Sequence, residues 1–214
     1  MNATVTVTAV ESVGRNTYAF RFRSPEGFDA EPGQFVKLGT EIDGEPIARF
    51  YTLSSPTVED TFEVTVGIDP EESGDFSAFL TEADPGTEMT LSGPFGDQHY
   101  DGEARAVIVA GGPGIGPAVA IAERALADGG EAAIVYRDDE VAHADRIEAL
   151  RERGATLRTL DPDADLNPAV DETLTGVEGE TVFVYGFADL VADAATAIEA
   201  AGGDPDAAKV ENFG

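Results

Sequence analysis

The sequence predicts two architectures joined end to end: a six-stranded antiparallel β-barrel over residues 1–100, then an α/β unit with a five-stranded parallel sheet over residues 101–214. Three observations carry this. Short segments alternating apolar and polar residues recur between turn signals as far as Ser92. Beyond Ala104 the pattern changes to short apolar strands followed by helical periodicity. The 214 residues, 42% hydrophobic with 12 Phe, suffice to fill two small cores.

The barrel strands follow in order. Ala3–Val13 alternates Thr and Val, and Tyr18–Arg23 places Phe20 and Phe22 opposite Arg21 and Arg23. Pro32-Gly33 turns the chain into Gln34–Leu38, and Gly44 and Pro46 punctuate before the strand containing Arg49. Thr61–Gly67 sets Phe62, Val64 and Val66 against polar residues, and Glu88–Ser92 supplies the sixth strand. Between the fifth and sixth lies a short helix, Gly74–Leu80, entered through glycine. Gly93-Pro94-Phe95-Gly96 follows, and the division between domains falls near Gly96–Gly102.

The second unit opens with Ala106–Ala110, a run suited to burial on both faces. The glycine-rich turn Gly111–Pro117 leads into a helix from about Ala118 to Ala127. Strands at Ala132–Tyr136, Ala155–Leu160, Thr181–Tyr185 and Lys209–Phe213 alternate with helices near Val141–Arg153 and Ala188–Ala201. Strand, helix, strand is the parallel crossover, whose ligands sit at the carboxyl ends of the strands.

Composition narrows the function. Asp and Glu number 42 against 13 Lys and Arg, a net charge of -29 spread along the whole chain. Self-repulsion of that size is mild where salt screens it over about 3 Å, as near 1 M. A salt-rich cytosol is the leading explanation, and the composition resembles that of proteins from extreme halophiles. It argues against nucleic acid or an anionic membrane as partner, both of which require a positive footprint. Without cysteine, disulfides, iron–sulfur ligation and a catalytic thiol are excluded within this chain. His99 and His143 are too few and too isolated for a metal site and read as surface residues. The sequence begins on a strand pattern, and no apolar run approaches 18 residues, so a cytoplasmic location without membrane insertion is expected.

Three segments carry chemistry. Arg49-Phe50-Tyr51-Thr52 puts a cation, aromatic rings and a hydroxyl on one strand. Arg49 suits a pyrophosphate, Tyr51 a flat ring system and Thr52 a ring heteroatom, although Arg and Tyr also make ordinary cross-strand pairs. The start of the short helix, with Ser77, offers donors to a phosphate, or Ser77 merely caps its helix. The spacing Gly112-x-Gly114-x-Gly116 departs from the dinucleotide fingerprint but retains its physics: close backbone approach beside a helix N-terminus.

Taken together these residues resemble the ferredoxin–NADP reductase superfamily of two-domain flavoenzymes. Arg49-Phe50-Tyr51-Thr52 resembles its Arg-x-Tyr-Ser/Thr motif, and Gly74-x-x-Ser77 its second flavin-phosphate motif. Gly93–Gly96 resembles the domain junction, Gly111–Pro117 the Gly-Gly-Thr-Gly-Ile-Ala-Pro turn, and Glu211-Asn212-Phe213-Gly214 the terminal Glu-x-Phe. The matches run in family order over nearly the whole chain.

The resemblance implies a Greek-key barrel holding FAD and a Rossmann-like domain receiving NAD(P)H. Arg49 and Ser77, with Gly74, Asp75 and Phe76, would hold the flavin pyrophosphate. Phe50, Tyr51, Thr52, Val66 and Gly67 would surround the isoalloxazine, with Thr52 near its N5. Gly112, Pro113, Gly114, Ile115, Gly116, Gly186 and Phe187 would receive the nicotinamide nucleotide, and Glu211 and Phe213 would close over the flavin. Thr52, Glu211 and Phe213 form the implied catalytic set. Two departures stand out: Pro113 replaces a Thr, and Tyr185-Gly186-Phe187 replaces Cys-Gly-Pro.

Arg137 could meet a 2′-phosphate, while Asp138 and Asp139 could favour an unphosphorylated ribose, which leaves the nucleotide as NAD(P)H. The expected activity is hydride transfer from NAD(P)H to FAD and electron transfer to a carrier such as ferredoxin, or the reverse. Reduction of a quinone, free flavin or other small acceptor, service as an electron-transfer subunit, and a redox-silent nucleotide-binding module are the alternatives. A monomer is favoured, and an apolar face near the flavin edge is expected to meet the carrier.

Overall fold

The computed structural model describes residues 1–68 and 74–214. Six strands form the first sheet: β1 Asn2–Gly14, β2 Thr17–Arg23, β3 Phe35–Ile42, β4 Glu45–Thr52, β5 Thr61–Gly67 and β6 Glu88–Phe95, in the antiparallel order β4-β3-β6-β1-β2-β5. An isolated antiparallel bridge between Leu53 and Val64 joins the two edges of that order and closes the barrel. The alternation read from sequence is that of apolar side chains turned to the barrel core, although on β5 the intervening Glu63 and Thr65 are buried as well, against His143 and Arg146. Val5, Val7, Phe20, Phe22, Val36, Leu38, Phe62, Val64, Met89 and Leu91 all point inward, and Phe22 stacks on Phe62 at 5.0 Å.

The β3–β4 hairpin turns at Asp43 and Gly44, with φ of 53° and 84°, the positive pair that matches strand twist in a tight hairpin. Pro46 lies within β4 opposite Glu41 rather than in the turn. An edge strand tolerates proline because one side of its ladder is unpaired. Helix α1, Asp75–Thr81, packs Phe76 and Leu80 against the barrel.

The second sheet is parallel, with β7 Arg105–Gly111, β8 Glu131–Arg137, β9 Thr156–Leu160, β10 Glu180–Gly186 and β11 Lys209–Asn212 in the order β11-β10-β7-β8-β9. Helices α2 Ile115–Ala127 and α3 Ala144–Glu152 pack with Ile108, Ala110, Ile134 and Phe183 in one buried cluster. Helices α4 Asn167–Thr173 and α5 Ala188–Ala200 pack with Val109, Val135 and Val184 in another. Central β7 is therefore apolar and buried from Ala106 to Ala110. The strand order reverses between β7 and β10, which places a crevice at their carboxyl ends.

Two expectations are corrected. Helix α2 starts at Ile115, not near Ala118, because Pro117 falls in its first turn, where the missing N–H would have had no helical acceptor. The glycine turn contracts to one 3₁₀ turn, Gly112–Gly114. Helix α4 went unforeseen: its seven residues follow Leu166 with Pro168 in the first turn, and only Ala169, Val170 and Thr173 are buried.

Candidate functional site

Strand β4 runs along the barrel edge into a cleft of about 470 Å³ between the barrel and the parallel sheet. The barrel contributes Arg49, Phe50, Tyr51 and Thr52 from β4, Val66 and Gly67 from β5, and Ser77 from α1. Pro113 of the glycine turn and Phe187 after β10 form the opposite wall, and Glu211 and Phe213 complete it from β11 and the residues beyond. Thr65, Pro117, Asn212 and Gly214 line the same cleft without having been singled out in the sequence.

Each side chain is held by its element. The Tyr51 ring lies 6.2 Å from Phe76, inclined 22°, so the buried Phe76 supports Tyr51 from within the barrel. Burial raises the Tyr51 hydroxyl pKa above its ordinary value, with Arg49 acting weakly the other way. Gly74, not Ser77, is the N-cap of α1, and no side chain caps that helix. Phe213 donates its backbone N–H to the Gly186 carbonyl at 2.9 Å, and its ring meets Phe187 edge-on at 6.0 Å.

Thr52 Oγ1 donates to Glu211 Oε1 at 2.9 Å, a contact from barrel to parallel sheet across the cleft. Thr52 is 7% exposed. Burial pushes Glu211 up from 4.5 to about 7, and the Thr52 hydrogen bond pulls less strongly downward. Near neutral pH the pair can therefore hold or release a proton at the Glu211 carboxyl.

Arg49 is the arginine that lines the cleft. Among the described residues it has no carboxylate within ion-pair distance, and its Nη1 donates only to the Ala48 carbonyl at 2.9 Å. An exposed guanidinium at the mouth of an aromatic-lined cleft fits a phosphorylated planar group.

The other expected residues stand outside the lining. Gly74 and Asp75 are exposed at the start of α1. Gly112 opens the turn with φ of 55°. Gly114 and Gly116 answer to packing: a Cβ would come 2.2 Å from the Tyr185 carbonyl oxygen at Gly114 and 2.6 Å from Thr65 at Gly116. Ile115 is fully buried, and a Cβ on Gly186 would meet Leu190 at 2.4 Å. Arg137 points into a separate hollow, where Nη1 donates to Asp193 at 2.8 Å and to the Ala164 carbonyl at 3.3 Å. Tyr185 is buried and donates its hydroxyl to the Gln98 carbonyl at 2.8 Å.

His143 corrects the expectation of a surface residue. It is 5% exposed, its Nε2 lies 2.8 Å from Thr65 Oγ1, and burial, reinforced by Arg146, lowers its pKa to about 3. Nearby, Arg146 forks onto Glu123 at 2.7 and 2.8 Å and reaches Glu63 at 3.0 Å and the Ser54 carbonyl at 2.8 Å. This seam fixes the barrel to α2 and α3 behind the cleft. A single His and scattered charges give no spacing signal from which a contact 78 residues apart could be read.

Residues 4–100 match the family model described as oxidoreductase FAD-binding domain. The glycine betaine monooxygenase reductase subunit of Chromohalobacter salexigens is 39% identical over 106 residues, 47% of this chain and 28% of that protein. The toluate 1,2-dioxygenase electron transfer component of Pseudomonas putida is 32% identical over 129 residues, 57% of this chain and 37% of that protein. The matches thus span well under half the length of either relative. Among solved structures, a ferredoxin NADP+ reductase from Neisseria gonorrhoeae with bound FAD and NADP superposes with TM-score 0.83 at 19% identity, covering 100% of this chain and 99% of that one. Residues 4–100 thus resemble an oxidoreductase FAD-binding domain, and the whole chain shares the two-domain fold of that ferredoxin NADP+ reductase.

Proposed function

We propose that this chain is a flavin-dependent oxidoreductase whose cleft would hold FAD, with NAD(P)H as the hydride donor and a separate acceptor for the electrons. The division of labour falls at residues 100 and 101, with the barrel holding FAD and the parallel sheet the nucleotide. The observation that carries this reading is the Thr52–Glu211 hydrogen bond, which puts a proton-holding pair from both domains against one aromatic-lined cleft. Bound FAD would accept hydride and release electrons singly or in pairs.

The chain's own residues do the rest. Arg49 and Ser77 anchor the phosphates, and Tyr51, braced by Phe76, sets the plane of the rings. Phe187 and Phe213, packed edge-on at the cleft wall, would shield the reacting edge from water. Glu211, with a pKa of about 7, can hold a proton on its carboxyl while Oε1 accepts from Thr52.

A small protein carrier such as ferredoxin is the acceptor we favour. The relatives named above are a reductase subunit and an electron transfer component of oxygenases. From the cleft lining outward, Phe50 and then Phe95, 62% and 42% exposed, cluster with Phe35 at 5.6–6.4 Å and give a short-range apolar contact that salt does not screen. In steady-state turnover with NAD(P)H, Phe95→Ser, which lies outside the cleft lining, should raise the KM for a ferredoxin severalfold and leave ferricyanide reduction unchanged. An unchanged KM for the carrier, or efficient turnover only with quinone or free flavin, would move the assignment to a small acceptor.

A further inference from the structure

We propose that this chain takes NADH in preference to NADPH, and that Asp138, held by Tyr136 beside the glycine turn, makes that choice. The inference rests on the nicotinamide reading of the site and deepens it. In an open parallel sheet the pyrophosphate of a dinucleotide lies at the turn after one strand, and the adenosine ribose reaches the end of its neighbour. Here the turn follows β7 and the neighbour is β8.

Tyr136 is the penultimate residue of β8 and is 2% exposed. Its hydroxyl lies 3.2 Å from the Gly112 carbonyl oxygen and 2.8 Å from Asp138 Oδ2. One hydroxyl therefore spans the distance from turn to carboxylate, which puts Asp138 where a ribose attached to the pyrophosphate arrives. Asp138 Oδ1 also accepts the Asp139 N–H at 2.7 Å, and the Asp138 N–H donates to the Leu160 carbonyl at 3.1 Å, so the group is fixed. Each carboxylate oxygen keeps a second lone pair, and a ribose 2′-OH can donate to it without displacing a present partner.

A 2′-phosphate in that place brings about two negative charges and no donor. Both nearby cations already have carboxylate partners. Arg137 faces Asp193 and Ala164, and Arg15, at 72% side-chain exposure, pairs with Asp139 at 3.6 Å and Glu140 at 3.8 Å. Asp139 and Glu140 add to the negative field at this strand end.

The test titrates FAD-loaded protein with NAD+ and NADP+ by calorimetry and follows anaerobic flavin reduction by NADH and NADPH, for the parent chain, Asp138→Asn and Asp138→Ser. The parent should favour NAD(H) on the order of a hundredfold in both Kd and kcat/KM, as expected for like charges set against each other and a lost hydroxyl contact. Both variants should lose at least about tenfold of that preference. Asp138→Asn retains an acceptor for Tyr136, and its flavin content and Tm report whether the fold is intact. Equal use of NADPH and NADH by the parent overturns the inference and leaves the proposed function standing. An unchanged preference in both variants removes the role of Asp138. Binding and reduction by neither nucleotide overturn the proposed function and this inference with it.

Discussion

Arg49→Ala separates ligand binding from folding more cleanly than any other change in this molecule. The side chain is exposed, makes no ion pair among the described residues and reaches only its neighbour's carbonyl. Its removal should shift stability by no more than about 0.5 kcal/mol, the range of ordinary surface substitutions. Bound FAD would lose a charge-assisted contact to its pyrophosphate. Hydrogen bonds to charged groups contribute about 1.5–3 kcal/mol each, so a two-pronged contact is worth roughly 3 kcal/mol or more. At 1.4 kcal/mol per tenfold, the Kd for FAD should rise on the order of a hundredfold. Flavin fluorescence quenching, titrated into apoprotein, measures this, with the Tm of the apoprotein as control. An unchanged Kd at unchanged Tm would mean that Arg49 does not hold the pyrophosphate.

Glu211→Gln should remove an inflection near pH 7 from the rate of flavin reduction, since it deletes the group titrating there. In the apoprotein, folded Glu211 keeps its proton to about pH 7 while an unfolded Glu loses it near 4.5, so stability should fall as pH rises between those values, and the variant should lose that slope in urea titrations. His143 acts in the opposite sense: the unfolded chain takes up a proton below pH 6.5 that the folded one refuses until about 3, so acid destabilises across that window and His143→Asn should flatten the loss. Phe62→Ala, which empties a site packed by Phe22 and Phe28, should cost about 3–5 kcal/mol in denaturant unfolding. The salt-rich setting inferred from the charge predicts a Tm that climbs between dilute buffer and molar KCl, and a flat response would contradict it.

The strands were legible because apolar residues recur at alternate positions: each inward Phe and Val of β2 and β5 has its face set by spacing, whereas the burial of Glu63 and Thr65 on the other face of β5 had no such signal. The cleft-facing part of β4 was legible because cation, ring and hydroxyl fall together on one short strand. What stayed hidden depends on contacts between segments far apart. Gly114 and Gly116 looked like ligand glycines, yet their small size is required by Tyr185 and Thr65, residues on β10 and β5 that lie far from the turn in sequence. The Arg146 seam and the buried His143 arise only when α3 packs beside β5. Arg137 read as a possible phosphate ligand until α5 placed Asp193 against it. Helix α4 was too short for periodicity to register.

The most direct measurement is the visible spectrum of the purified protein in concentrated salt after reconstitution with FAD, followed by anaerobic addition of NADH. One FAD per chain, with flavin bands that bleach on addition of NADH, is the predicted result. A chain that binds no FAD, or whose bound flavin stays oxidised with NADH and NADPH alike, would contradict the assignment of this cleft to flavin reduction.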